Sequence, residues 1–293
     1  MKVLIVGGDS RLSKFIEKDF VNSKTQYIKT SRKNTTNSIH LDFNFINEFK
    51  IPTNLSHAII VGGVTSYDDC ENNYEYACKI NCKNIPQLVS QLLKNDIFVL
   101  YISTNTVFKY NSLPKENDKP SPGFSYANLK YISEQKITSI ASDISRTNKL
   151  SILRLTKNVC NNTSPFNNWL NCINEKKEFN AFNDLYFAPI TFENSSKAIL
   201  SIINNNYSGI FHLSGEKDLS YSDFANGLLD FLNLDKNLCK NLKSTEIGVK
   251  LLYNHPITAL DMSYTEKKLN IQKIKLSEIY TYLSQFIDKL GFL

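Results

Sequence analysis

The chain of 293 residues is 42% hydrophobic and 21% charged, ordinary for a globular protein, and no apolar run approaches the roughly 20 residues that span a bilayer. Its net charge of +6, from 34 Lys and Arg against 28 Asp and Glu, is scattered, which disfavours a nucleic-acid surface and still suits an anionic small molecule. Cys70, Cys78, Cys82, Cys160, Cys172 and Cys239 show no CxxC spacing, so reduced thiols are expected rather than a metal site, and the direct entry of "MKVLIVGGDS" into a strand predicts a cytoplasmic protein.

In chain order, "KVLIVGG" reads as a strand and "SRLSKFIEKDFVN" as a helix, followed by the strands "QYIKTS", "IHLDF" and "HAIIVGG". "CENNYEYACKINCKNIPQLVSQLLKN" reads as one long amphipathic helix and "IFVLYIST" as the next strand. A helix beginning near Ser125 is predicted to run to about Asn148, before the strand "LSILRLT". Alternating helices and near-continuous apolar strands predict an α/β fold whose doubly wound, Rossmann-type parallel sheet is covered on both faces. A nucleotide-binding domain over residues 1–157 is expected. A smaller C-terminal α/β lobe should occupy residues 158–293, with the chain free to cross back between the two. That lobe holds the helix "ENSSKAILSIINNN", the strand "GIFHLSG", the helix "SYSDFANGLLDFLN" and the closing helix "LSEIYTYLSQFIDKL". His212 reads as a packed strand residue, His255 equally as structural or phosphate-facing, and Trp169 with "FNAFNDLYF" as the core of the lobe.

Three stretches carry candidate chemistry. The first turn, "VGGDSRLSK", has Gly7 where a dinucleotide-binding turn needs its tight bend, but Ser10 and Ser13 stand where further glycines are usual. Gly7, Ser10, Arg11 and Leu12 are its candidate cofactor contacts; by itself the turn reads equally as a plain strand–turn–helix. At the end of the second strand, Ser31, Arg32 and Lys33 suit the 2′-phosphate of NADPH, or a basic surface loop just as well. In "FSYANLKYISEQ", Tyr126 and Lys130 lie one helical turn apart, so an ammonium stands beside a phenol. Ser103 and Thr104 end the preceding strand, at the edge where open α/β sheets bind ligands.

Together these residues resemble the extended short-chain dehydrogenases/reductases, and most closely the dTDP-4-dehydrorhamnose reductase type. The match runs through Ser103, Thr104, Val107 and Phe108, then Glu116, Asp118 and Pro122, then Tyr126, Lys130 and Glu134. "VGGVTSYDDCE", "KINCKN", "FNDLYFAPIT", "SGIFHLSG" and "NHPITALDMS" follow the family pattern in order, so the resemblance spans nearly the whole chain. It implies an NAD(P)H-dependent reductase of a nucleotide-activated 4-keto sugar, with NADPH favoured and NADH the alternative. Tyr126 would protonate the forming alkoxide, Thr104 would bond the same oxygen, and Lys130 would lower the phenol's pKa and hold the nicotinamide ribose. Gly62, Gly63 and Val64 would pass along the cofactor, Asp42 and Phe43 would lie by its adenine, and Asn105 and Lys157 would face the sugar. A metal, nucleic acid or membrane is not expected; a homodimer is left open. Departures from the family are Ser10, Ser13, Asn84, Asn105, His255 and Lys157. Two alternatives stand beside the reductase: an epimerase on the same scaffold, and a non-catalytic subunit like the β subunit of methionine adenosyltransferase.

Overall fold

The computed structural model describes residues 1–33, 35–109, 112–249 and 251–287. Seven parallel strands form the central sheet: β1 (Lys2–Val6), β2 (Gln26–Ser31), β3 (Ile39–His40), β4 (His57–Ile60), β5 (Phe98–Thr104), β6 (Leu150–Leu155) and β7 (Gly209–Leu213). Their spatial order is β7-β6-β5-β4-β1-β2-β3. Successive side chains of a strand point to opposite faces, and both faces here are apolar. Val3, Ile5, Ile59 and Leu100 pack with Leu12, Ile16 and Phe20 of the helix Arg11–Asn22 and with Ile199, Ile202 and Ile203 of Phe192–Asn205. Leu4, Val6, Ala58, Ile60, Val99 and Tyr101 pack on the other side with Leu88, Val89, Leu92, Leu93 and Ile137. The strand order reverses between β1 and β4, and such a switch point opens a crevice at the carboxyl ends of the strands.

The chain does cross back. β7, which the sequence places among the lobe segments, pairs with β6 and completes the sheet. The lobe's other strands form two-stranded pairs, Lys157–Val159 with Pro189–Thr191, Phe179–Phe182 with Cys239–Leu242 and Tyr186–Phe187 with Leu219–Ser220. Trp169, 2% exposed, closes its core against Phe166 and Phe179 and donates its indole N–H to Asn180 O at 2.9 Å.

Two helices differ from expectation. The long helix over residues 70–95 is broken into Tyr67–Asn72, Tyr74–Lys79, a π-turn at Ile80–Asn84 and Ile85–Lys94. Asn73, at φ −125° and ψ 46°, interrupts the first junction, and the wide turn aims Asn81 at Val64 and Asn84 at Phe43. The Tyr126 helix ends at Asp143 rather than near Asn148. Ser145 takes φ 55°, and Arg146 N–H bonds back to Ala141 O at 2.7 Å, which closes the turn. The closing helix spans Leu276–Ser284, and the expected residues 288–290 lie outside the described residues. Among the described residues no helix is long and apolar enough to cross a membrane, no three His, Cys, Asp or Glu cluster as metal ligands, and all six cysteines are free.

Candidate active site

A cleft of about 400 Å³ lies over the switch point, lined by Gly7, Ser10, Ser31, Arg32, Asp42, Phe43, Gly62, Gly63 and Val64. Of the nucleotide-contact candidates from the sequence, Arg11, Leu12 and Tyr126 line the adjoining cleft instead, and Lys130, buried, lines neither. Gly7 is required: its φ is +90°, and a Cβ there would stand 2.5 Å from Gly62 N. The serines do not erode this turn; they tie it. Ser10 caps the first helix by accepting Ser13 N–H at 3.1 Å and donates its hydroxyl to Ser13 Oγ at 2.8 Å. Ser13 Oγ in turn donates to Gly7 O at 2.9 Å. The next loop is clamped by Asn81, which accepts Val64 N–H at 3.0 Å and donates to Val64 O at 2.8 Å. Asn84, at a departure from the family pattern, donates to Phe43 O at 2.7 Å. Glycine could not make that bond, so the change adds a support for the Asp42–Phe43 loop. This backbone cradle, with free amides at a helix N-terminus, fits a dinucleotide.

A second cleft of about 720 Å³ shares Ser10, Val61 and Thr65 with the first and opens between the sheet and the lobe. Thr104, Asn105, Tyr126, Arg11, Leu12 and Lys157 line it, with Tyr186, Tyr221 and Tyr253 from the lobe side. Thr104 ends β5 and accepts Thr106 N–H at 3.2 Å, which fixes its hydroxyl at the strand's carboxyl end. Asn105 donates to Thr258 O at 2.7 Å, tying the strand end to the lobe. The Tyr126 helix has no side-chain cap of its own from Phe124; Glu71 supplies one, accepting Ser125 N–H at 2.9 Å and its hydroxyl at 2.8 Å. No local signal announces that cap, because Glu71 is far off in sequence.

Burial, abetted by the neighbouring Tyr67, pushes the Tyr126 phenol well above its ordinary pKa, while the nearby Thr104 hydroxyl opposes the rise. The expected depression by Lys130 therefore does not prevail. The ammonium is itself buried, lies 4.0 Å over the Tyr101 ring and donates to Ile102 O at 2.6 Å. Desolvation lowers its pKa to about 7 against the upward pull of Glu134. Beneath the cleft, Glu134 receives the Ser103 hydroxyl and pairs with Arg154, whose guanidinium donates to it at 2.7 Å. Ser103 thus braces the network through its hydroxyl, while the Thr104 hydroxyl is not engaged with Glu134. Arg154 also reaches Glu116 O and the Nε2 of His212, so β5, β6 and β7 share one buried polar cluster. His212, fully buried, is held neutral, its pKa lowered to about 3 by desolvation and Arg154. His255 lines neither cleft and makes a local bond to Ile257, so its position is structural.

Residues 1–288 match the family described as the RmlD substrate binding domain. The chain belongs to that family. The probable low-salt glycan biosynthesis reductase Agl14 of Haloferax volcanii is 22% identical over 180 residues, and the match spans 60% of each chain. A dTDP-4-dehydrorhamnose reductase of Clostridium acetobutylicum shares the fold with a TM-score of 0.79 at 20% identity, over 97% of this chain and 99% of that one. The dTDP-4-dehydrorhamnose reductase of Bacillus anthracis in complex with NADP superposes with a TM-score of 0.79 at 18% identity, over 97% and 98% of the two chains. Against the RmlD-family pattern, the aromatic expected after β6 is Lys157, an exposed residue of the larger cleft.

Proposed function

We propose that the chain is a nicotinamide-dinucleotide-dependent reductase of a nucleotide-linked 4-keto sugar. One observation carries this reading: Thr104 and Tyr126 line one large cleft continuous with a glycine-lined cradle. The related reductases named above, one of them bound to NADP, support it.

When bound, the reduced nicotinamide supplies a hydride to the carbonyl carbon. The residues of the chain manage the oxygen. A phenol whose pKa is raised by burial stays protonated at neutral pH, the state needed to donate to a forming alkoxide. Thr104 shares the oxygen and aligns it. Lys130, one helical turn from Tyr126, supplies positive charge once the phenol has given up its proton. At the ribose end, Asp9 already accepts the Ser31 hydroxyl at 2.6 Å. Arg32 makes no ion pair among the described residues, which supports NADPH over NADH.

Titration with NADPH and NADH, followed by assay of 4-keto nucleotide sugars, tests the reading. Tyr126→Phe is expected to lower turnover by about 10²–10⁴-fold while the fold and dinucleotide affinity persist. Unchanged turnover removes the phenol from the reaction, and binding of neither dinucleotide removes the reductase.

A further inference from the structure

The larger cleft has an unbalanced charge. Among the described residues its lining holds two charged side chains, Arg11 and Lys157, both cations, and no carboxylate. Neither makes an ion pair or hydrogen bond among the described residues. They nevertheless act on each other. Although Lys157 reaches solvent, desolvation and the charge of Arg11 hold its ammonium below the ordinary lysine value. Two cations converging on a cleft without a counter-charge repel, and an anion entering between them relieves that repulsion.

Position narrows the anion. Neither cation lines the adenine–ribose cleft, and both line the one that holds Thr104 and Tyr126. Leu155 pairs with Thr104 in the sheet, and Lys157, two residues on, starts a short strand paired with Pro189 and lines the same cleft as Thr104 and Tyr126. A dinucleotide pyrophosphate already has the amides of the first helix, whose N-cap Ser10 lies where the two clefts meet. The planar fork of arginine and the point charge of lysine together match a carboxylate. The lobe side offers tyrosines and hydroxyls, suited to a sugar and a base, and no further cation among the described residues. We infer that Arg11 and Lys157 hold a carboxylate borne by the sugar ring, so that the substrate is an acidic, uronate-type nucleotide sugar rather than a neutral deoxy sugar. This inference rests on the sugar-nucleotide reading above and names the class of sugar.

The uridine and thymidine diphosphate derivatives of glucose and glucuronic acid test it, because each pair differs only in a hydroxymethyl or a carboxylate. Affinities are measured by calorimetry on the full chain saturated with dinucleotide. The glucuronate is expected to bind at least about tenfold tighter than the glucose derivative of the same nucleotide, the scale of one charge-assisted contact. In Lys157→Met and in Arg11→Gln, that ratio is expected to fall to about one. Equal affinity in the unsubstituted chain overturns the inference and leaves the sugar-nucleotide reading intact. A parallel fall for both sugars in the variants also overturns it and assigns the cations to the substrate diphosphate. Weakened dinucleotide binding in the variants assigns them to the cofactor instead. If none of the four compounds binds, the sugar-nucleotide reading fails and takes this inference with it.

Discussion

The smaller cleft presents mostly backbone, with Gly7, Gly62 and Gly63 at its floor and asparagines bracing its loops, whereas the larger one presents hydroxyls, aromatic rings and two cations. Their departures from the family pattern behave differently as a result. In the first, Ser10, Ser13 and Asn84 are absorbed, because each makes a hydrogen bond that restores the backbone shape. In the second, Lys157 stands at the cleft wall without a protein partner, so its consequence falls on whatever binds there. A site read through backbone geometry tolerates new side chains that keep the shape. A site read through side chains changes its ligand when one of them changes.

Four substitutions or titrations would break or sharpen this contrast. The largest effect on folding is expected beneath the larger cleft: Arg154→Met removes one partner of a buried ion pair and strands Glu134, costing about 3–5 kcal/mol in denaturant unfolding. A smaller cost would mean that water reaches the cluster. Next comes the backbone-built cleft. Gly7→Ala forces a Cβ against Gly62 at a left-handed φ, a strain of about 1–3 kcal/mol, and dinucleotide affinity is expected to drop with it.

The third test is titration of Lys130. Its folded pKa, about 7, lies below that of an unfolded lysine, so between those values the unfolded chain binds the extra proton. Stability from this group therefore rises as pH climbs from about 7 to about 10.4, by at most about 1.4 kcal/mol per unit, and is flat below that window. Lys130→Met is expected to remove this slope, and an identical slope in the variant would place the titration elsewhere. The smallest effect belongs to Ser13→Gly. It restores the family residue but deletes the bond to Gly7 O, and a loss of about 1 kcal/mol is expected rather than a gain. A measured gain would show that the serine is merely tolerated.

Much of the molecule was written locally. The alternation of apolar residues in β1, β4 and β5 gives each strand two buried faces, and that is enough to call for helices on both sides of a parallel sheet. Gly7 announces a left-handed turn, and Tyr126 and Lys130 announce a shared helix face, because both follow from spacing along a few residues. The broken helix over residues 70–95 was not legible: its apolar face continues across the breaks, while the π-turn answers to the distant backbone of Val64 and Phe43. The direction of the Tyr126 shift was also out of reach, since i,i+4 spacing reports a nearby cation but not how deeply both groups are buried. Sequence thus determined most elements, the turn and the pairing of Tyr126 with Lys130 on one helix face, because periodicity and backbone restriction act over short range. Tertiary structure alone decided that Glu71 caps the Tyr126 helix, that Arg154 anchors Glu134, and that Arg11 and Lys157 face one cleft. Burial and electrostatics depend on distance through space, and only folding sets those distances.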